Sequence, residues 1–257
     1  MIKSFQSPDM VLIQQLIQKV PGLLQSGEGS RWEYNQLGQV WRLDLSSLGL
    51  TFLWPEVTKL MHLQELDLSW NQLTRVPEEL GQFSHLQRLD LSWNQLTQLP
   101  RELGQLTALR WLHLGSNQLI ALPEELGRLN QLRELYLFYN QIQHLPVELS
   151  HLSQLQRLHL SNNHLTDLPV ELGQLSQMYS LTLDNNQLDS VPAELGQLSQ
   201  LRWLNMACNQ LIELPGELGQ LSRLEMLDLS DNPKLQSPPP DVVAAGIKSI
   251  LVYLRNQ

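Results

Sequence analysis

The chain contains one possible thiol nucleophile. Cys208 is the only cysteine among the 257 residues, and a catalytic thiol needs a neighbouring base or cation that lowers its pKa. The sequence repeats every 23 residues, and the residues at the place of Cys208 in the adjoining copies, Asn185 and Asp231, are poor general bases. We therefore expect an inert cysteine.

Two histidines, His113 and His159, occupy the same place in different copies of the repeat. They lie two copies apart, which is roughly 10 Å if the copies stack as strands about 4.8 Å apart. Tyr136 takes the intervening place, so no third ligand stands between them to complete a zinc site. The chain also lacks a Gly-Lys phosphate loop, an HExxH motif and a nucleophile elbow. The sequence thus predicts no catalytic residue, no metal site and no cofactor, and hence no enzyme.

The overall charge limits the classes of partner. A net charge of −9 argues against a broad surface for nucleic acid or for anionic membranes. No apolar run approaches the length of a membrane span, and a lone cysteine cannot form an internal disulfide. We expect a cytoplasmic protein that is not inserted in a membrane.

The elements that position these residues follow from the repeat itself. A typical copy, residues 62–84, reads HLQELDLSWNQLTRVPEELGQFS. The copies, numbered one to nine here, begin at Gln39, His62, His85, Ala108, Gln131, Gln154, Gln177, Gln200 and Arg223. One leucine column is unbroken: Leu43, Leu66, Leu89, Leu112, Leu135, Leu158, Leu181, Leu204, Leu227. A unit this short cannot bury its own apolar face, so neighbouring copies must stack into one continuous core.

The pattern LxxLxLxxNxLxxLPxxLGxLxx over residues 39–237 resembles the leucine-rich repeat family. The resemblance implies an α/β fold, a right-handed β-α solenoid shaped like a horseshoe, with a parallel concave sheet and helical caps. Alternation in a segment such as LDL places leucines inward and the residue between them outward. The columns of Asn71 and Glu79 then have structural explanations: turn hydrogen bonds and a favourable position at a helix start, with Pro77 at the first helical position.

The two ends of the array differ from the repeats. Residues 1–38 are expected to form an N-terminal helical cap, with an apolar stripe in 8–25 at Leu12, Leu16, Ile17, Val20, Leu23 and Leu24. Residues 39–237 hold nine repeats, the last partial, and 238–257 are expected to form a C-terminal capping helix. Its apolar face would hold Val243, Ile247, Ile250, Leu251 and Leu254.

The closing segment 232–255, NPKLQSPPPDVVAAGIKSILVYLR, is similar to the segment that ends the repeat arrays of Roco-type proteins, where a Roc GTPase module follows. The repeats also resemble those of Ras-group-related leucine-rich repeat proteins. Two interpretations stay open: an array that acts alone, or the partner-recognition segment of a longer enzyme such as a Roco GTPase or a ubiquitin ligase. An engineered consensus scaffold is disfavoured by the irregular columns and the imperfect end copies.

Four columns are expected to project from the concave sheet, and in the first copy they hold Arg42, Asp44, Ser46 and Ser47. Seven of the 16 aromatic residues fall in these columns, six of them in copies two to five. Copy five contributes Tyr136, Phe138 and Tyr139, which we expect to be free of the packing constraint. The candidate partner-binding residues are Trp70, Trp93, Trp111, His113, Tyr136, Phe138, Tyr139, His159, Arg88, Arg133, Arg157 and Trp203.

Exposed aromatic residues and arginines on a concave surface are the composition of a protein interaction site. The sequence therefore predicts a non-enzymatic scaffold that binds a protein or peptide, and the family resemblance implies GTPase-linked signalling with a Ras-like or Roc GTPase as partner. Stacking that serves only to stabilise the sheet, and sugar binding on the tryptophans, are the competing explanations.

Overall fold

The computed structural model describes residues 7–24 and 31–257. Residues 1–6 and 25–30, together with the side chains of Pro21 and Leu24, lie outside this part, so the predicted N-terminal cap is described incompletely. In the described part, the chain begins with helix α1 (Pro8–Lys19) and a short 3-10 turn, Pro21–Leu24. None of its helices is long and apolar enough to cross a bilayer.

Ten strands of the described residues form one open sheet in chain order. Strand β1 (Trp32–Tyr34) pairs antiparallel with β2, and all later neighbours pair parallel. The parallel strands are β2 (Val40–Asp44), β3 (Glu65–Asp67), β4 (Arg88–Asp90), β5 (Trp111–His113), β6 (Glu134–Tyr136), β7 (Arg157–His159), β8 (Ser180–Thr182), β9 (Trp203–Asn205) and β10 (Met226–Asp228). The predicted parallel sheet is confirmed, and the antiparallel β1 is an addition made by the N-terminal segment.

Each of the strands β2 to β9 is followed by a 3-10 helix on the other side of the core. These helices are Val57–Lys59, Glu78–Gln82, Arg101–Gln105, Glu124–Arg128, Val147–His151, Val170–Gln174, Ala193–Gln197 and Gly216–Gln220. The prediction that Pro77 takes the first helical position is wrong by one residue. Pro77 is the N-cap, with an extended backbone (φ −70°, ψ 146°), so the helix begins at Glu78.

The core is the stack of leucine columns between sheet and helices. Leu112, Leu135 and Leu158 are fully buried, as are most of their column mates. Close stacking of the helices depends on glycine. A Cβ on Gly104 would lie 2.3 Å from the carbonyl oxygen of Glu125 in the next copy, which is too close for an unchanged backbone. Glycine therefore permits this close approach in copies two to four, six and seven, whereas copy five has Ser150 at the same place.

The asparagine column hydrogen-bonds the turn backbone, as predicted, and it also ties each copy to the one before it. Asn140 Oδ1 accepts the N–H of Leu119 at 3.0 Å, and its Nδ2 donates to the carbonyls of Leu114 at 3.0 Å and Leu137 at 2.9 Å. The partners Leu119 and Leu114 belong to the preceding copy. The first copy has no preceding copy, which explains why Leu48 replaces asparagine there.

Polar anchors attach the N-terminal helix to the array. Ser7 Oγ accepts the N–H of Met10 at 3.2 Å and so caps α1. The buried carboxylate of Asp9 accepts the N–H of Val40 at 2.8 Å, which fixes the helix to β2. Apolar contacts come from Ile13 and Leu16, both fully buried.

Two helices close the other end, so the prediction of a single capping helix is wrong. Helix α2 (Pro240–Ala244) and helix α3 (Ile247–Arg255) are separated by Gly246, whose φ of 89° cannot continue a helix. Helix α3 buries Ile250, Leu251 and Leu254, while Val243 and Ile247 are half-buried. It packs on the 3-10 helix Gly216–Gln220 of copy eight.

Candidate partner-binding face

Five aromatic rings in copies four to six form one contact network on the sheet face. We call Trp111, His113, Tyr136, Phe138 and His159 the central cluster. His113 contacts both Tyr136 and Phe138, with ring centroids 5.3 and 5.2 Å apart. Tyr136 stacks on His159 at 4.9 Å and contacts Trp111 at 5.7 Å. Because adjacent parallel strands place these columns side by side, rings in neighbouring copies meet.

Tyr136 is held by polar contacts as well as by rings. Its hydroxyl donates to Glu134 Oε2, which also accepts from Arg157 Nη1 at 3.2 Å. Partial burial, together with the Glu134 carboxylate, raises the pKa of Tyr136 above its ordinary value. Tyr136 and Phe138 are half-buried. The prediction that they are free of packing is therefore wrong, because rings on adjacent strands are close enough to confine one another.

The two histidines of the cluster have different environments. Burial, followed by the nearby Arg157 charge, lowers the pKa of His159, so its ring is neutral at pH 7. His113 Nδ1 lies 3.3 Å from Asp90 Oδ2, and its Nε2 is buried without a hydrogen-bond partner in the described structure. Burial raises the pKa of Asp90, but hydrogen bonds from His113 and Ser92 outweigh it and leave that pKa below its ordinary value.

Three exposed aromatic side chains, which we call the edge aromatics, lie in the fourth column, just beyond the ends of the strands. Trp70, Trp93 and Tyr139 are 56%, 46% and 58% exposed. Their backbones are left-handed, with φ of 56°, 54° and 52°. Such angles are costly for bulky residues and are tolerated by asparagine or aspartate. The other copies place Ser47, Ser116, Asn162, Asn185, Cys208 and Asp231 there.

The edge aromatics fall into two groups, a tryptophan pair and Tyr139, and among the ring contacts of the described residues only Tyr139 meets the central cluster. The indoles of Trp70 and Trp93 stack with centroids 4.2 Å apart and planes 7° from parallel. Tyr139 meets Phe138 edge to face at 6.0 Å. Trp203, also a predicted site residue, lies in copy eight and contacts Tyr179 at 5.6 Å, in a separate group. The structure thus brings the aromatics of copies four and five together with His159 and leaves Trp203 apart.

The predicted arginines fall into paired and unpaired groups. Arg157 is paired with Glu134 and lies 5.0 Å from the Tyr179 ring. Arg88 lies over the Trp111 ring at 4.6 Å. Among the described residues, neither Arg88 nor Arg133 has an acidic partner, and the same holds for the nearby Arg110. All three are exposed, so positive charge borders the central cluster.

The second column has a role that sequence reasoning missed. In five copies its side-chain oxygen accepts the backbone N–H two residues later, at 2.8 to 3.0 Å. The pairs are Asp44–Ser46, Asp67–Ser69, Asp90–Ser92, Asn205–Ala207 and Asp228–Ser230. Copies four to seven hold His113, Tyr136, His159 and Thr182 instead. The signal was visible in the sequence as an interruption of an Asp/Asn column.

No arrangement for chemistry emerges around the cysteine or the histidines. Cys208 is half-buried with Sγ 3.7 Å from Asp231 Oδ2. Desolvation and the Asp231 carboxylate raise the pKa of its thiol, the opposite of activation. Within the described residues, no group of three or more histidine, cysteine or acidic side chains is placed to hold a metal ion. Tyr136 stands between His113 and His159, as the sequence predicts.

Comparison with known families gives one consistent result. A family model described as "Leucine-rich repeat region" matches residues 45–139, and "Leucine rich repeat" matches 176–233. "Leucine Rich repeats (2 copies)" matches 153–195, and "Leucine Rich Repeat" matches 131–152. A search of curated protein sequences finds no match.

Solved structures of similar shape include bacterial and plant proteins. A leucine-rich repeat protein of Leptospira interrogans is 37% identical with a TM-score of 0.65, over 82% of this chain and 59% of that one. The plant peptide hormone receptor RGFR1, in complex with RGF2, is 32% identical with a TM-score of 0.68, over 74% and 32%. The ectodomain of the Arabidopsis thaliana receptor kinase GASSHO1/SCHENGEN3, in complex with CASPARIAN STRIP INTEGRITY FACTOR 2, is 30% identical with a TM-score of 0.68, over 85% and 30%. The chain spans less than two thirds of each.

Proposed function

Because the chain is a leucine-rich repeat protein, we propose that it is a scaffold that binds a protein or peptide on the sheet face of copies two to six. The edge aromatics carry the proposal. Trp70, Trp93 and Tyr139 are bulky, exposed and held at left-handed angles that serine, asparagine and aspartate occupy in the other copies. Strained, exposed aromatic residues have no folding role that the smaller residues fail to fill, so a binding role accounts for them.

The central cluster supports one of the edge aromatics, Tyr139. Tyr136 is fixed by Glu134 and by its neighbouring rings, so its side chain loses little conformational entropy when a partner binds. Phe138 joins this cluster to Tyr139. Arg88 and Arg133 add unpaired positive charge at the border. A rigid aromatic centre with arginines at its border is a common composition of protein interfaces.

The partner class follows from resemblance. The closing segment 232–255 is similar to that of Roco-type arrays, and we extend the proposal to a Ras-like or Roc GTPase as partner in cytoplasmic signalling. Two of the similar solved structures are plant receptors in complexes, a peptide hormone receptor with RGF2 and a receptor kinase ectodomain with CASPARIAN STRIP INTEGRITY FACTOR 2, which supports peptide or protein binding as the general activity. Titration of the chain with purified Ras-like and Roc GTPases, each loaded with GDP or with a non-hydrolysable GTP analogue, tests the GTPase part alone.

The general proposal is tested by partner capture with matched variants. Trp93→Asn with Tyr139→Asn gives the edge column the residue that Asn162 and Asn185 already carry, so the fold is retained. The control is Ile120→Thr, which removes an exposed apolar side chain outside the sheet face and installs the residue found at Thr74 and Thr97. We expect the double variant to lose the captured protein and the control to keep it. Equal capture by both would overturn the proposal.

A further inference from the structure

The interruption of the second column leaves backbone donors unpaired on the sheet face. In the described structure, the N–H groups of Gly115, Phe138, Ser161 and Asp184 donate no hydrogen bond. The five other copies bind this N–H with their own aspartate or asparagine. A backbone N–H without a protein acceptor must be served by water or by a ligand. These four groups are consecutive, so they form one row across copies four to seven.

Two members of the row are poorly placed for an incoming anion. Gly115 is buried, and a Cβ there would lie 2.9 Å from the Phe138 ring, so that ring covers it. Asp184 carries its own carboxylate, which accepts from Ser161 Oγ at 2.6 Å and Asn205 Nδ2 at 3.1 Å. The backbone donors that remain available to an anion are therefore the N–H groups of Phe138 and Ser161.

The rings beside these two donors point away from them. Tyr136 lies two residues before Phe138, and its hydroxyl reaches back to Glu134 at the start of the strand. His159 lies two residues before Ser161 and stacks on the Tyr136 ring, so it follows the same direction. In the capped copies, the aspartate at this place turns the other way, toward the N–H two residues later. The space occupied there by a carboxylate is thus not taken by the side chains of Tyr136 and His159.

The copies in which a side chain accepts this N–H indicate which chemical group would suit Phe138 and Ser161. Four of the five caps are aspartate carboxylates, and a charged acceptor makes a stronger bond to a backbone N–H than a neutral one. The donors lie in adjacent copies, about 4.8 Å apart, so the two oxygens of one carboxylate can each take one. The ligand group that matches is a carboxylate.

The surrounding charge favours an acidic ligand at this place and opposes it elsewhere. Arg88, Arg110 and Arg133 are exposed and, in the part of the chain described, lack acidic partners. Within this window the carboxylate of Glu134 is paired with Arg157. On both sides the face turns acidic, with Asp44, Asp67 and Asp90 before the window and Asp184, Asp228 and Asp231 after it. Asp184 accepts from the hydroxyl of Ser161 and not from its backbone N–H. An acidic segment is therefore attracted to copies four to six and repelled by the flanking copies.

We propose that the partner of the sheet face presents an acidic peptide segment, one of whose carboxylates accepts the N–H groups of both Phe138 and Ser161. This inference rests on the proposed function and specifies the chemistry of its partner. The carboxylate takes the place that aspartate fills in the capped copies, and the three arginines hold the rest of the segment by charge.

The direct test is an amide NMR titration of the isotope-labelled chain with two blocked peptides, Gly-Glu-Gly-Glu-Gly and its glutamine counterpart. With the glutamate peptide we expect saturable downfield shifts of the Phe138 and Ser161 amide protons, at least threefold larger than those of the capped Ser92 and Ala207. The glutamine peptide should give less than a third of the effect. Absence of these shifts, or equal shifts at the capped amides, would overturn the inference.

Three variants separate capping from the loss of a ring. His159→Asn should cap the Ser161 N–H as Asn205 caps Ala207, without adding charge, and should weaken the glutamate peptide about tenfold or more. His159→Leu also removes the ring but supplies no acceptor, so it should weaken the glutamate peptide at least about threefold less than His159→Asn does. Thr182→Asn makes the matched change one copy further on, where it caps Asp184 rather than Ser161, and should bind as the wild type does. Equal weakening by His159→Asn and His159→Leu contradicts the inference.

The outcomes also distinguish this inference from the general function. If the Trp93→Asn/Tyr139→Asn variant loses its captured protein but the glutamate peptide shifts neither the Phe138 nor the Ser161 amide, the proposed binding face is supported and the proposed acidic partner is refuted. If the peptide shifts appear but the Trp93→Asn/Tyr139→Asn variant still captures its partner, the carboxylate site is supported and the proposed binding role of the edge aromatics is refuted.

Discussion

Trp70 and Trp93 stack at 4.2 Å while both backbones are in the left-handed region. Their exposed faces make the pair a flat apolar surface at the end of two adjacent strands. Two opposing energies act on it. Ring stacking stabilises by about 0.5–1.5 kcal/mol, and a left-handed backbone costs a bulky L-residue about 1–2 kcal/mol.

Replacing this pair with Trp70→Asn and Trp93→Asn should leave stability nearly unchanged. The lost stacking is offset because asparagine accepts the left-handed angle, so we expect a net change in the free energy of unfolding within about 1 kcal/mol. Urea unfolding followed by circular dichroism measures it. A loss of several kcal/mol would show that the indoles are structural, which would weaken their assignment to binding.

Tyr136→Phe should destabilise the array, whereas Tyr139→Phe should not. The first change removes the hydroxyl that donates to Glu134 on the half-exposed face, and we expect a cost of about 1 kcal/mol. The hydroxyl of Tyr139 has no hydrogen-bond partner among the described residues, so its removal is the matched control. Both are measured by urea unfolding. An equal effect of the two changes would contradict the role given to Glu134.

Asp67→Asn should raise stability at neutral pH. Burial, with Asp90 and Asp44 on either side, raises the pKa of Asp67 above its unfolded value of about 3.8. A raised folded pKa favours folding below that unfolded value, and this contribution is lost as pH rises through the folded pKa. The asparagine has no such loss, and its amide oxygen still caps Ser69, as Asn205 caps Ala207.

The gain should therefore be largest near pH 7 and disappear as pH falls below about 3.8, which melting temperatures across that range will show. Asp228→Asn is the control, because the second column beside it holds the neutral Asn205. A gain for Asp67→Asn that does not change with pH would refute carboxylate repulsion and burial as its source.

Asn140→Ala should be among the most damaging single changes outside the apolar core. It leaves the N–H of Leu119 and the carbonyls of Leu114 and Leu137 without their buried partner, at a cost on the order of 3 kcal/mol. Asn130→Ala, an exposed asparagine of the preceding copy, should change stability by less than about 0.5 kcal/mol. Chemical denaturation of both variants tests the difference, and similar losses would refute the asparagine ladder as a stabilising element.

The fold was largely predictable because one constraint is repeated nine times. Column positions such as Leu135 and Asn140 must satisfy the same core and turn in every copy, so their register identifies the strands and the turns directly. The non-repeating ends were harder. The left-handed Gly246 divides the last helix, and Trp32 to Tyr34 add an antiparallel strand, because neither segment has a second copy with which to compare it.

The positions of the candidate residues on the sheet were predictable, but their conformations were not. The columns correctly place Trp111 beside Tyr136 and His113 beside Phe138, since strand register fixes which residues are neighbours. The direction of a side chain within a column depends on its partners in the adjacent copies. The bond from Tyr136 to Glu134 and the aspartate caps are relationships of that kind, and residue spacing alone does not reveal them.

The asparagine ladder also gives the array a polarity. Each asparagine side chain donates to and accepts from the copy before it and makes no hydrogen bond to the copy after it in the described structure, so a cut between two copies exposes unlike surfaces. On one surface an asparagine such as Asn140 loses its partners, and on the other the N–H of Leu119 loses its acceptor. The two ends of the array are therefore different surfaces, and each is complementary to the other but not to itself. Copies can be added in only one orientation. At the N-terminal end, Leu48 replaces the asparagine and so needs no hydrogen-bond partner in a preceding copy, and at the C-terminal end α3 covers the array.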